Sequence, residues 1–346
     1  MDVSEDFLGK LIPYLDHENV YVRIASAKAI TGAVENFPAQ VSDTQKALQE
    51  LYYERAKPLA PEYDEYGMII PETLDRTDPW ETRNAIAGSL LTLSTLFSGN
   101  EVVALFEFLI TGEALGDAHP SVRREMLEVG ITVIDSHGKE SLQQLIEMFE
   151  QTLKQTSTTE IQDMVFEAVV IFFGRLARHL EPTDERVPIV VDRLVDALKT
   201  PSELVQSAVA DCLPPLVQAR SEQRAPLVKH LLNELINAEK YAARRGAAYG
   251  LAGVVKGAGL SSFKEFDILR TLKKSAEDKK NMQARQGALF AFETLSGTLE
   301  RLFEPWIPTL MPILLTSFGD SVPDVREATQ DAAKVIMSKI SVSIDY

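Results

Sequence analysis

One cysteine, five histidines and two tryptophans in 346 residues leave few of the side chains on which catalytic and metal chemistry usually rests. With Cys212 alone, an intrachain disulfide and a CxxC metal site are both excluded, and the chain suits a reducing cytosolic or nuclear compartment. His17, His119, His137, His179 and His230 are scattered, none at the i, i+4 spacing of a helix-borne zinc pair. His119 falls in the turn "DAHPSVR", where a capping or solvated role fits. No apolar run approaches the roughly 18 residues of a membrane span. The opening "MDVSEDFLGK" lacks the basic-then-apolar order of a signal peptide. Sustained two-residue alternation is missing too, so strands are not expected. Paired carboxylates such as Asp64 and Glu65 lie in a polar stretch with no sign of a cleft around them. Basic charge is in short supply: 35 Lys and Arg face 51 Asp and Glu, a net of −16 that on average disfavours nucleic acid. These absences argue against an enzyme, a bound metal or cofactor, and a membrane protein.

What the chain has is repetition. Apolar residues make up 45%, enough for a sizeable core, yet 346 residues exceed what one compact core usually holds. One pattern recurs: an acid, a short gap, then Arg among small residues opening an apolar helix. It appears in "DHENVYVRIASA", "DPWETRNAIA", "DAHPSVRREM", "EKYAARRGAA", "DKKNMQARQGA" and "DSVPDVREA"; in "TEIQDMV" and "SELVQSAVA" Gln replaces Arg. The aligned positions are Arg23, Arg83, Arg123, Gln162, Gln206, Arg244, Arg285 and Arg326, spaced 60, 40, 39, 44, 38, 41 and 41. A period near 40 is that of a two-helix HEAT-like unit. "VPIVVDRLVDALKT", the breaker Pro201 and "SELVQSAVADCLPPLV" read as helix, turn, helix, and "LFEPWIPTLMPILLTSFGD" before "SVPDVREATQDAAKVIMSKI" repeats that plan. A single hairpin buries no complete core, whereas stacked neighbours do. The expected fold is an all-α solenoid of HEAT-like hairpins. The recurrent Asp is read as a helix N-cap, and the recurrent Arg as pairing with an Asp of the same or the next repeat to make a ladder.

The first spacing is long by about half a unit because of "PLAPEYDEYGMIIPETLDRTDPWE". From Pro58 to Pro79 it holds Glu62, Asp64, Glu65, Glu72, Asp75 and Asp78 against one base, Arg76. We therefore divide the chain into N-terminal HEAT-like repeats (1–57), an acidic insertion (58–81) and continuous repeats (82–346), a single solenoid overall. With Tyr63, Tyr66, Met68, Ile69 and Ile70 beside Asp64 and Glu65, the insertion either docks a partner or folds back along the array.

"RRGAAYGLAGVVKGAG", Arg244 to Gly259, invites a nucleotide-binding reading and fails it. Lys256 follows Val255 and precedes Gly257, so the Gly-Lys-Ser/Thr order of a P-loop is missing, and the dinucleotide glycine pattern breaks at "GAGLSS". On a helix, Gly246, Gly250, Gly253 and Gly257 form one stripe that predicts close approach of a neighbouring helix, with Gly287 in the place of Gly246 one repeat later. Gly257 or Gly259 suits the helix end, and Ser262 with Glu265 suggests a capping box for the next helix. The opposite face carries Arg245, Tyr249 and Lys256, the first and last roughly 16 Å apart along the axis. Lys264, Arg270, Lys273, Lys274, Lys279, Lys280 and Arg285 follow. Residues 240–285 hold 11 basic and 4 acidic side chains, net +7, while the rest of the chain carries net −23. Such a belt is a candidate phosphate-backbone site. A solvated face balancing acidic neighbours is the alternative.

"KYAARRGAAYGLAGVVKGAG", "LFAFETLSGTLERLFEPW" and "DCLPPLVQA" resemble the central HEAT region of the large translational activators of general amino-acid control. "DPWETRNAIAGSL", "DAHPSVRREML" and "SHGKESLQQLIEMFE" fit that region in the same order, so the resemblance covers most of the chain. It extends to the HEAT region of fungal elongation factor three. The resemblance implies a cytoplasmic, ribosome-associated scaffold without cofactors. It would act on stalled or collided ribosomes with an ABC-type ATPase partner and help activate the kinase that phosphorylates initiation factor two alpha. The family's kinase-docking segment lies far downstream of this region and nothing here matches it, so the chain is expected to be a fragment of a longer array. Arg245, Tyr249, Lys256, Lys264, Lys273, Lys274, Lys279 and Lys280 are then expected to touch ribosomal RNA, and Tyr63, Asp64, Glu65 and Tyr66 to form a partner loop. The HEAT region of an ATP-driven elongation factor is the runner-up. A transport carrier or phosphatase scaffold that binds a basic protein on an acidic concave face is the third reading.

Overall fold

A computed structural model describes residues 7–59, 61, 63–71, 77–155 and 159–339. Its ordered elements are α-helices and short 3-10 turns, with one isolated antiparallel bridge among the described residues. The all-α expectation holds. The chain forms two compact units, Met1–Phe172 and Phe173–Tyr346.

The first unit contains α1 (Phe7–Leu11), α2 (Val20–Asn36), α3 (Val41–Arg55), α4 (Trp80–Leu93), α5 (Gly99–Ile110), α6 (Pro120–His137), α7 (Leu142–Lys154) and most of α8 (Glu160–Ala177). Within it α2, α4 and α6 lie side by side in one layer, and α3, α5 and α7 line the other. Between the layers Ile30, Val34, Leu48, Ile86, Leu90, Leu105 and Ile134 lose all solvent contact. Phe106, Phe149 and Phe172 fill the centre as an aromatic cluster, with edge-on contacts at 5.3 and 5.4 Å between ring centroids.

The second unit contains the end of α8, then α9 (Arg186–Ala197), α10 (Glu203–Ala219), α11 (Arg224–Asn237), α12 (Tyr241–Ala258), the short α13 (Ser262–Glu265), α14 (Ile268–Ala276), α15 (Met282–Leu299), α16 (Ile307–Ser317) and α17 (Pro323–Lys339). Here α10, α12, α15 and α17 pack in succession, and α9, α11, α14 and α16 back them. The glycine stripe of α12 works as its spacing predicts. A Cβ at Gly246 would collide with the carbonyl of Leu198, at Gly253 with that of Ala210, and at Gly257 with that of Pro214. Gly250 meets the side chains of Leu198 and Leu231. Pro214 supplies part of the reason, since its missing N–H leaves the Ala210 carbonyl without its helical donor. That bare carbonyl faces the Gly253 backbone. Gly287 of α15 meets the Leu235 carbonyl in the same way one repeat on. Gly259 ends α12 at φ 87°, a conformation that costs glycine little. The proposed capping box is not formed: Ser262 is already the first residue of α13, is buried, and donates its hydroxyl back to the Gly259 carbonyl at 2.6 Å.

The expected Arg–Asp ladder forms in part: Arg83 pairs with Asp78 and Asp117, and Arg285 with Asp320, while the shared contact of the station is to backbone carbonyls. In repeat after repeat the guanidinium of the recurrent Arg reaches back over the first turn of its own helix to the carbonyls of the preceding loop. Arg23 donates to His17 and Glu18, Arg123 to Asp117 and Ala118, Arg244 to Ala238 and Glu239, Arg285 to Asp278, and Arg326 to Asp320. Gln206 does the same toward Leu198 and Thr200, and reaches the Ala242 carbonyl of the next hairpin at 2.9 Å. The recurrent Asp is not the expected N-cap: Asp117 and Asp320 accept from the backbone two residues on, at 2.8 and 2.9 Å, and so order the turn just ahead of the helix. His119 accepts from the Ser121 N–H at 3.3 Å, the capping role read from its turn, and stacks on Trp80 at 3.9 Å.

Candidate nucleic-acid interface

Apart from Lys240, exposed at the start of α12, the basic residues of 240–285 fall into three groups. Arg244 and Arg285 are buried rungs, Arg285 paired with Asp320 of the next repeat at 2.7 Å, so neither faces solvent.

The second group lies on the exposed side of α12. Here Arg245 pairs with Glu203 of α10, and the Tyr249 hydroxyl donates to the same carboxylate at 2.7 Å. Burial opposes ionisation of Glu203, but Tyr249 and Arg245 outweigh it and hold the carboxyl below its usual range. Burial, then the hydrogen bond to Glu203 and the charge of that carboxylate, pushes the Tyr249 phenol up. Lys256 is exposed at the end of the helix. Tyr249 and Lys256 border a cavity of about 740 Å³ with Asp211, Glu293, Glu300 and Arg301. Burial lifts the Glu293 carboxyl above its normal range despite nearby Arg245. This face mixes both signs of charge.

The third group differs. In α14 Ile268, Leu269, Leu272, Ser275 and Ala276 are buried, and Arg270, Lys273 and Lys274 lie on the remaining arc. Arg270 lies 3.7 Å from Asp267, a loose exposed pair. Lys264 is exposed on α13, and Lys279 and Lys280 are exposed in the α14–α15 turn. Asp278 fixes that turn by accepting from the Lys280 and Asn281 N–H groups at 2.9 and 3.3 Å. No carboxylate pairs with the ammonium groups of Lys264, Lys273, Lys274, Lys279 or Lys280 among the described residues. Five lysines on consecutive elements, none in an ion pair among the described residues, thus stand wholly or partly exposed beside the acids Glu265, Asp267, Glu277 and Asp278.

The insertion carries the other predicted site residues. Tyr63 bridges Ile69 across a tight turn in which Gly67 has φ 77°. One Asp64 oxygen accepts from the N–H groups of both Tyr66 and Met68, at 2.9 and 2.8 Å. Tyr63, Tyr66 and Met68 are exposed by 60, 79 and 64%, so the turn stands clear of the first unit's core. Glu62, Glu72, Asp75 and Arg76 lie outside the described residues. Sequence reasoning missed Glu203 as the residue that occupies Arg245 and Tyr249. Its only local signal is an acid in the first turn of α10, and 42 residues separate it from Arg245.

Among the described residues no cluster of three or more His, Cys, Asp or Glu is placed to hold a metal ion, and no helix is long and apolar enough to cross a membrane. Stacked helical hairpins, joined by an Arg rung and presenting charged outer surfaces, define a HEAT-repeat scaffold. The family described as "Stalled ribosome sensor GCN1, HEAT repeats" matches residues 1–178, and "EF3 N-terminal HEAT repeat" matches residues 244–343. The human "Stalled ribosome sensor GCN1" is 40% identical over 99% of this chain, and the Saccharomyces cerevisiae "eIF-2-alpha kinase activator GCN1" is 36% identical over 97%. Arabidopsis thaliana "Protein ILITYHIA" is 39% identical over 98%. The chain belongs to the GCN1 family. It spans about 13% of the length of the human and yeast relatives.

Proposed function

We propose that this chain is a non-catalytic, ribosome-binding segment of a cytoplasmic scaffold. On stalled or collided ribosomes that scaffold helps activate the kinase phosphorylating initiation factor two alpha. The observation that carries the reading is the lysine row, free of ion pairs among the described residues, in a chain whose relatives are named for ribosome sensing and kinase activation. Lys264, Lys273, Lys274, Lys279 and Lys280 meet ribosomal RNA phosphates, and Lys256 adds charge from α12. Arg245 and Tyr249 join them only on leaving Glu203. Kinase contact and the ABC-type ATPase partner belong to the longer scaffold, the kinase being engaged through regions outside this segment.

Ribosome co-sedimentation across a salt series tests the proposal. Changing Lys273, Lys274, Lys279 and Lys280 to Glu removes about four phosphate contacts, so the slope of log K against log salt is expected to fall by about 3 to 4. Unchanged affinity and slope would refute the RNA contact. The match of residues 244–343 to elongation-factor-three HEAT repeats favours a second reading, a segment of an ATP-driven elongation factor. Ribosome-stimulated ATP hydrolysis by the same parent chain would select it.

A further inference from the structure

The turn at Tyr63–Ile69 presents large apolar side chains to solvent in a fixed arrangement, and its charge has the wrong sign for RNA. Resting on the ribosome reading above, we propose that this tip docks on a protein component of the ribosome, into an apolar cleft edged by Lys and Arg.

Three observations support the assignment. First, the tip is pre-organised. Asp64 staples it from both sides: its backbone N–H donates to the Met68 carbonyl at 2.8 Å, and its carboxylate takes the Tyr66 and Met68 N–H groups. Gly67 closes the loop by donating to the Asp64 carbonyl at 3.0 Å. A segment already ordered loses little entropy on docking. Second, the exposed residues are of the kind that anchor interfaces. Two tyrosines give rigid amphipathic area, Met68 adapts to an irregular pocket, and Ile69 is exposed by 43% beside them. Third, the sequence from Pro58 to Pro79 holds six acids and one base, and with Asp78 taken up by Arg83 five acids remain against that base. A phosphate backbone is repelled by that balance, whereas a basic protein surface is drawn to it. The ribosome offers both chemistries, and this tip is suited to the protein one, just as the lysine row is suited to phosphate.

The test places a photo-crosslinker at the tip. The 346-residue chain carrying Tyr66→p-benzoylphenylalanine is bound to purified ribosomes, irradiated and mapped by mass spectrometry. Adducts are expected on a Lys/Arg-rich ribosomal protein peptide. Adducts on nucleotides, adducts confined to the chain itself, or no adduct while the chain stays bound would each overturn the proposal. In parallel, Tyr66→Ser with Met68→Ser is expected to weaken ribosome binding about tenfold, leaving the salt slope unchanged. Both side chains are solvent-exposed, so the core is undisturbed. If the unsubstituted chain fails to sediment with ribosomes, the ribosome reading falls and the docking proposal falls with it. If the lysine variants bind normally while the crosslink to protein persists, only the RNA contact is lost.

Discussion

Arg83 and Arg244 occupy the same station in two repeats, are buried to within 2 and 4% of complete, and are satisfied in opposite ways. Arg83 is ringed by carboxylates. Its Nε and one Nη donate to the two Asp117 oxygens at 2.7 and 2.9 Å, and it also meets Asp78 at 3.0 Å. Arg244 has only neutral acceptors: the carbonyls of Ala238 and Glu239, and the Gln286 side chain of the next repeat. Its Nε is buried without a partner. Burial pulls the Arg244 guanidinium below its ordinary range. At Arg83 burial acts in the same direction, but Asp78 and Asp117 overturn it and the group is held above its usual value. Gln206 fills the station with no charge at all. What these stations share is a donor that spans the preceding loop, and the charge on that donor is optional.

The sharpest way to break this comparison is at its charged end. Asp117→Ala would strip Arg83 of its bidentate partner and Tyr52 of its acceptor, held at 2.7 Å. A buried ion pair broken on one side costs about 3–5 kcal/mol, so urea unfolding should register a loss of that size. A cost below about 1 kcal/mol would mean that Asp78 alone satisfies the rung. At the neutral end, Gln286→Ala removes one hydrogen bond to a charged group and should cost about 1.5–3 kcal/mol in the same assay. An equal or larger loss than at Asp117 would contradict the idea that the two rungs differ in strength.

The fold was legible because it is written many times. Eight copies of one station, and apolar residues at helical spacing between them, identify stacked hairpins without any long-range information. The α12 stripe was legible for a related reason: four glycines on one helical face have few uses besides close packing. What escaped were pairings fixed only in three dimensions. Nothing within the local pattern of α12 indicates that Glu203 takes up Arg245 and Tyr249, and so the sequence reads one basic belt where the structure separates three groups. The Ser262–Glu265 motif failed for a smaller reason. The helix starts one residue earlier than a cap at Ser262 requires, and the hydroxyl turns back to Gly259. At the insertion, composition left docking and folding back equally open, and the Asp64 staple could not be foreseen from residue types.

The smallest expected effect separates two kinds of helix glycine. Gly246 has the Leu198 carbonyl where its Cβ would be, whereas Gly88 in the middle of α4 has nothing within 4 Å of that point. Gly88 borders a shallow cavity of about 320 Å³ with Ile24, Ala27, Trp80 and Ala85, so an added methyl enters open space. Alanine in a helix interior is favoured over glycine by about 0.5–1 kcal/mol. Gly88→Ala should therefore stabilise the chain by that amount, raising the thermal midpoint by roughly 1–4 °C. A lowered midpoint would show that the cavity floor at Gly88 tolerates no side chain, and that this glycine, like Gly246, is held by close approach.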